Sequence, residues 1–194
     1  MVGARSPVVQ TLARNTNDTL RFKERAHAIM SLGVHFALVS KDLRKLRRLT
    51  DPAVLVDFIS EDLEGRYLEN DELSFQSDKA WEPIHRALTD GTLLPGRGTF
   101  PLAFAVLGGK RLDSGEGSTV CLVEPEQVKG AALALGQVTK DWFLSRFRKL
   151  SDSDYQGPLG DKDAAATWET LQGLRAFFER AGKKDRAVLF SVDA

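Results

Sequence analysis

The stretch from Ser77 to Leu88 holds the side chains of this chain that are best suited to chemistry. An acid, a base, an indole and an imidazole follow one another within about three helical turns. If the stretch is helical, four of its residues occupy positions i, i+3, i+4 and i+7, the spacing of a single buried face. These four residues are Trp81, Ile84, His85 and Leu88. We therefore expect the imidazole of His85 beside the core, with Asp78 either capping the helix or extending toward that imidazole.

An imidazole oriented by a carboxylate is a common general base, and this gives one functional hypothesis. The protein would be an enzyme or a small-molecule-binding protein with an acid/base pocket around Asp78, His85 and Tyr155. Tyr155 belongs to the polar segment 151–162, and loops of this kind often carry function. The full set of candidate site residues is Asp78, Trp81, His85, His35, Tyr155 and Trp168. A structural interpretation competes with this one, in which Trp81 packs at a helix start and His85 is a hydrogen-bonded core residue.

Strong catalytic and metal-binding motifs are missing from the sequence. Neither His-x-x-x-His nor Cys-x-x-Cys occurs, and the histidines are widely spaced at His27, His35 and His85. The lone Cys121 lies in an apolar run, where a thiol is poorly placed as a nucleophile, and no Gly-x-Ser-x-Gly sequence is present. We predict no metal and no cofactor, and we assign no catalytic residue.

The lack of these motifs favours a second hypothesis, a non-catalytic binding protein such as an intracellular partner or an immunity-type inhibitor. A basic helix at 41–49 precedes a mostly acidic stretch from Glu61 to Glu72, so the surface carries separated charges. The loop from Asp154 to Leu159 is a second candidate contact. Lys plus Arg equals Asp plus Glu at 27 each, and no overall field attracts nucleic acid or an anionic membrane. We expect a protein partner, and neither nucleic acid nor membrane; the oligomeric state does not follow from the sequence.

The composition is typical of one globular domain in a reducing compartment. With 194 residues, of which 42% are hydrophobic and 28% charged, the chain can bury a substantial single core. One cysteine excludes a disulfide within the chain. No apolar run reaches the roughly 18 residues needed to cross a bilayer. These features predict a cytoplasmic protein.

Three apolar segments separated by helical patterns predict an α/β fold. The strands are expected at 34–39, 120–123 and 187–192. The last of them is short and apolar except for Ser191, as a central strand covered on both faces should be. We predict a small mixed β-sheet of about three to five strands with helices on both faces, an αβα sandwich.

Cap residues and apolar stripes predict the helices. Ser40, Asp51 and Thr139 are the expected N-caps. The helix after Thr139 should turn Trp142 inward and Arg146 outward. The longest helix lies near the C-terminus and carries an unbroken apolar stripe, Trp168, Leu171, Leu174, Phe178 and Ala181.

We interpret residues 1–29 as a segment appended to a single domain at 30–194. Basic residues outnumber acids there, and no strand or helix period runs through the opening residues. Translation that starts at Met30, directly before the first strand, is the favoured explanation. The alternatives are an Arg-rich transit peptide or a short helix from about Leu20 to Ala28.

Five segments occur in the same order as in a known bacterial family. They are Asp78-Lys79-Ala80-Trp81 with Ile84-His85, Leu107-Gly108-Gly109, the junction from Val123 to Val128, Thr167-Trp168, and Leu174 to Phe178. On these segments the chain resembles the YfbM-like family from about Met30 to the C-terminus. The resemblance implies a small cytosolic α/β protein of bacterial origin, in a family without an established activity, and it supplies no catalytic residues. The chain departs from the family at Pro83, which disfavours a regular helix from Asp78 and favours a 3₁₀ turn leading into the helix.

Overall fold

The computed structural model of the protein describes residues 32–112, 118–150, 157 and 159–193. The predictions for residues 1–29 and for Tyr155 lie outside these residues. The proposed domain boundary near Met30 therefore stays a prediction.

A five-stranded sheet forms the middle layer of the described residues. Its strands are β1 (Gly33–Leu38), β2 (Ser74–Asp78), β3 (Lys110–Arg111), β4 (Ser118–Val123) and β5 (Ala187–Asp193), in the spatial order β2-β1-β5-β4-β3. Each neighbouring pair is antiparallel, whereas a mixed sheet was predicted. The C-terminal strand β5 occupies the centre, which confirms its predicted position.

Helices cover both faces of this sheet. The elements on one face are α1 (Ser40–Leu46), α2 (Pro52–Asp57), a π-helix (Phe58–Leu63) and α3 (Glu64–Tyr67). Those on the other face are α4 (Trp81–Leu88), a 3₁₀ helix (Leu102–Ala105), α5 (Pro125–Gln137), α6 (Lys140–Phe147) and α7 (Asp161–Lys183). This arrangement confirms the predicted α/β class with a helical layer on each side. Within the described ranges, no helix has the length and hydropathy needed to span a membrane.

The alternation of side chains along β5 divides the interior into two apolar clusters. Val188 and Phe190 face the layer that contains α5 and α7, while Leu189 faces the layer that contains α1 and the π-helix. Successive residues of a strand point to opposite faces, so the consecutive apolar residues 187–190 of β5 fit between two covered faces. The stripe predicted for α7 is buried along its length, which confirms the phase of that helix.

Capping side chains begin two of the helices as predicted. The Asp51 carboxylate accepts a hydrogen bond from the Ala53 amide at 2.8 Å, and the Thr139 hydroxyl accepts one from the Trp142 amide at 3.3 Å. The prediction for Ser40 is wrong by one residue. The carbonyl of the preceding residue, Val39, already accepts the first helical hydrogen bonds, so Ser40 lies inside α1.

Strand β2 was not predicted from the sequence, and it displaces the expected helix start. Asp78 ends this strand with φ of 45°, and α4 begins only at Trp81. Pro83 therefore falls in the first turn of α4, where a missing amide proton costs little. This later start accommodates Pro83 without breaking the helix.

The orientation predicted for α6 is wrong at two positions. Phe143 and Phe147 are buried at i and i+4, and this phase leaves Trp142 38% exposed. Arg146 turns toward the protein and donates hydrogen bonds to the carbonyls of Ala87 and Thr89. A long arginine side chain can bury its stem and still place its guanidinium against a neighbouring helix end.

Candidate functional site

His35, one of the two histidines expected near the site, is enclosed in the core. It is 0% exposed, and its ring centroid lies 4.7 Å from that of Phe190. The Nε2 atom is 2.9 Å from the carbonyl oxygen of Ala105. Burial lowers the pKa of His35 to about 4, and backbone hydrogen bonds only partly oppose this effect. The ring is neutral at physiological pH and is closed off from solvent.

His85 lies in the core in the same way. The residue is 1% exposed, and burial lowers the pKa of its imidazole to about 4 against the opposing effects of the Thr92 backbone and the Asp90 charge. Its Nδ1 atom has no hydrogen-bond partner within the described part of the chain. This environment fits the structural interpretation of a packed imidazole.

The other candidate residues do not gather around these imidazoles. The ring of Trp81 lies 5.9 Å from Phe190, so Trp81 and His35 share one aromatic neighbour. Trp168 instead packs against Phe143 at 5.7 Å. Asp78 is exposed at the end of β2, and no hydrogen bond between described residues joins it to either imidazole. Tyr155 lies outside the described residues. Among the residues that the structure describes, no cluster of three or more His, Cys, Asp or Glu is arranged for a metal ion.

Replacing His85 by alanine is expected to lower the free energy of unfolding by about 1 to 3 kcal/mol. The variant loses a packed ring and its backbone contact with Thr92. Urea unfolding at neutral pH measures this change. An unchanged melting temperature would contradict the placement of His85 in the core.

A solvent-facing groove between α5 and α7 offers a different kind of site. The cavity has a volume of about 510 Å³. Small or apolar residues line part of it, namely Ala132, Leu133, Gly136 and Gly182. Its rim is charged, with Lys129, Arg175, Glu179 and Lys183. We call this surface the α5–α7 groove.

Leu133 gives the groove its apolar character. The residue is 74% exposed, more than any other large hydrophobic residue that the structure describes. The ring of Phe100, itself 48% exposed, packs directly on Gly130, one helical turn before Leu133. Small residues in α5 and α7 leave the space beside Leu133 open. An apolar ridge therefore borders an unfilled groove, a feature typical of interaction surfaces.

Three of the four charged residues that line the groove are basic, and two of these three are already paired with carboxylates. Lys129 pairs with Glu126 at 2.8 Å and with Asp185 at 2.7 Å, and Lys183 pairs with Glu179 at 2.7 Å. The Arg175 guanidinium lies next to Gly136 and makes no hydrogen bond to a described residue. Lys183 chiefly, and Arg175 in addition, lower the pKa of the Glu179 carboxyl. Arg175 remains the rim charge best able to meet an external carboxylate.

Leu133 was not among the candidate site residues predicted from the sequence. The signal was available, because Leu133 lies off the stripe formed by Val128, Ala131 and Leu135. A leucine on the outer face of a helix is ordinary by itself. Only the open space made by Gly136 and Gly182 turns it into a candidate site.

Comparison with known proteins yields a family and a fold. The family model described as "Domain of unknown function (DUF1877)" matches residues 30–191. A solved structure titled "The Crystal Structure of a Protein of Unknown Function YfbM from Escherichia coli" superimposes with a TM-score of 0.62 and 18% sequence identity, covering 83% of this chain and 99% of that chain. No curated protein matches. At this identity, the structural likeness concerns the fold alone.

Proposed function

This chain belongs to the DUF1877 family, in agreement with the predicted YfbM-like resemblance, and we propose that it is a non-catalytic binding or immunity-type protein that holds a protein partner in the α5–α7 groove. The exposure of Leu133 at the edge of that groove is the observation that carries the proposal. Burying a leucine side chain contributes about 1.5 to 3 kcal/mol, so a partner that covers it gains substantial affinity.

The environment of the histidines supports binding over acid/base catalysis. A general base must reach the proton that it removes, and its pKa should lie near the working pH. His35 and His85 are enclosed, and the pKa of each is lowered to about 4. The alternative hypothesis of an acid/base pocket around Asp78, His85 and Tyr155 gains no support from these two rings.

The shape and charge of the groove indicate the chemistry of the partner. A channel between two packed helices accepts a third helix, which contributes apolar residues at i, i+3, i+4 and i+7. Leu133 would contact this apolar stripe, and Arg175 would pair with a carboxylate beside it. We therefore propose an acidic amphipathic helix of a partner protein as the occupant.

A synthetic peptide tests this assignment. The probe is a fluorescent amphipathic helix with leucine at the four stripe positions and glutamate elsewhere, and its binding is followed by fluorescence anisotropy. We expect Leu133→Ser to weaken binding about tenfold or more, because one buried leucine is lost. Arg175→Ala should weaken binding of this peptide and should not affect a version with lysine in place of glutamate.

The matched control is Leu94→Ser, which removes another leucine, 54% exposed, that does not line the groove. This variant should bind the acidic peptide like the wild type. Equal affinity for the acidic, basic and scrambled peptides would refute the proposal. Undiminished binding by Leu133→Ser would refute it as well.

A further inference from the structure

A second cavity, separate from the α5–α7 groove, lies where the C-terminal ends of α4 and α6 meet. Its volume is about 440 Å³. Its polar side chains among the described residues are Arg86, Thr89, Asp90, Thr92, Arg146 and Lys149. We call it the cationic cavity, because it has three cations and one carboxylate.

Arg146 is fixed in this cavity by the end of α4. Its Nε and Nη2 atoms donate to the carbonyls of Ala87 and Thr89, and its guanidinium lies 5.0 Å from the ring of Trp142. Carbonyl oxygens are neutral acceptors, so these bonds hold the guanidinium in place while its full positive charge remains. The Nη1 atom makes no hydrogen bond to a described residue and is available as a donor.

Arg86 is fixed from the opposite side. Its Nε atom donates to the Glu82 carboxylate at 3.0 Å, and its Nη1 atom donates to the Gly91 carbonyl at 2.5 Å. Its Nη2 atom has no hydrogen-bond partner within the described part of the chain. Two guanidinium groups, each with a spare terminal nitrogen, thus line one cavity without the entropy cost of ordering them on binding.

The two remaining charged side chains of the cavity, Lys149 and Asp90, differ in how far they are already paired. Lys149 is exposed, and no described residue forms an ion pair with it. Asp90 is the opposing charge, and its Oδ1 atom already accepts hydrogen bonds from the amide and the hydroxyl of Thr92, at 3.1 and 2.8 Å. Three cations therefore outnumber two carboxylates, Glu82, which is paired with Arg86, and Asp90, which is turned to its own loop. The arrangement favours a compact anion with several acceptor oxygens.

We propose that the cationic cavity binds the phosphate group of a small phosphate ester. Guanidinium groups match the geometry of phosphate oxygens, and the ammonium of Lys149 adds a third positive charge. The cavity volume falls within the range of small-molecule sites, which leaves room for an organic group beyond the phosphate. This site does not depend on the α5–α7 groove, and each proposal can fail alone.

Calorimetric titration with inorganic phosphate, and then with phenyl phosphate, tests the cavity at constant ionic strength set by chloride. We expect both anions to bind, with phenyl phosphate the tighter. Lys149→Ala should weaken both by about fivefold, and Lys149→Glu should weaken them further, because an anionic side chain then faces the ligand. Lys149 is exposed and holds no other element, so both variants should fold.

Lys140→Ala is the control, since it removes an exposed lysine from the start of α6, the helix that ends two residues before Lys149. It should leave the affinity for both anions unchanged. Binding heat that chloride alone reproduces would overturn the site. Equal affinity of the wild type and Lys149→Glu would overturn it too, and phenyl phosphate that binds no tighter than inorganic phosphate would overturn the assignment to an ester.

Discussion

Lowering the pH through the range from 6.5 to about 4 is expected to remove roughly 3 kcal/mol of stability for each of the two core histidines. Burial holds the pKa of His35 and of His85 at about 4 in the folded protein, against 6.5 when the ring is free in water. Between these two values the unfolded chain binds more protons than the folded one. The contribution of the two histidines to the free energy of unfolding is therefore fully present above pH 6.5, and it is lost as the pH falls toward 4.

The expected loss is large compared with the stability of a typical domain. Two histidines together account for roughly 6 kcal/mol, and whole domains are stable by about 5 to 15 kcal/mol. Acid unfolding should therefore begin while exposed carboxylates are still ionised. Urea unfolding at a series of pH values gives the slope of the free energy of unfolding against pH.

The double variant His35→Gln/His85→Gln is the comparison that assigns this slope. Glutamine does not titrate, and its amide can still donate to the carbonyl of Ala105 that His35 contacts. The variant should be less stable at neutral pH, yet its free energy of unfolding should change much less between 6.5 and 4. His27 is present in both proteins, so its contribution cancels. Equal slopes in the two proteins would show that the core histidines are not responsible.

The parts of the fold that could be predicted from the sequence are elements whose own residue pattern indicates which of their faces are buried. β5 is apolar on both of its faces, and this pattern fits only a central strand. The stripe of α7 has five apolar positions in one phase, which leaves a single orientation open. Local pattern and tertiary environment agree in both elements, so the pattern was enough.

Strand β2 could not be predicted because its sequence carries little strand preference. It contains two serines, a glutamine and an aspartate, and only Phe75 is apolar. Pairing with β1 stabilises it, together with the contact of Phe75 on Gly173 of α7. These partners lie far from β2 in the sequence, and the local sequence of β2 does not indicate them.

Some candidate sites were predicted wrongly and others were not predicted at all, for a related reason. The helical spacing correctly placed His85 next to the core, but spacing cannot reveal how completely a ring is enclosed. Arg146 was expected to face solvent, because its attraction to the carbonyls of Ala87 and Thr89 arises only when α4 and α6 meet. The α5–α7 groove likewise depends on two glycines that come together from different helices. Surfaces between elements are the least accessible to single-sequence reasoning.

An ionic network around the buried carboxylate of Asp42, on the opposite face of the sheet, gives the second large effect. Asp42 is 2% exposed and accepts hydrogen bonds from the Tyr67 hydroxyl at 2.7 Å and from two Arg66 nitrogens at 3.0 and 3.1 Å. The Tyr67 hydroxyl also accepts from the Val39 amide at 3.2 Å. One carboxylate therefore joins the start of α1 to α3 through charge-assisted bonds.

Burial alone would raise the pKa of Asp42, but the hydrogen bonds from Arg66 and Tyr67 outweigh it, and the pKa is lowered from 3.8. Burial and the neighbouring carboxylate raise the pKa of Tyr67 to about 12. The contribution of Asp42 is present above 3.8 and is lost only as the pH falls through its lowered folded value. This range lies below that of the two histidines, so the two effects can be separated.

We expect Asp42→Ala to lower the free energy of unfolding by about 3 kcal/mol at neutral pH, because it leaves the Tyr67 hydroxyl buried without its acceptor. Asp62→Ala is the matched control: it breaks the ion pair with Lys45, in which both side chains are about half exposed, and should cost less than about 1 kcal/mol. Urea unfolding of both variants measures the difference. If the two substitutions cost the same, Asp42 acts as an ordinary surface charge, and the link between α1 and α3 does not contribute as its geometry indicates.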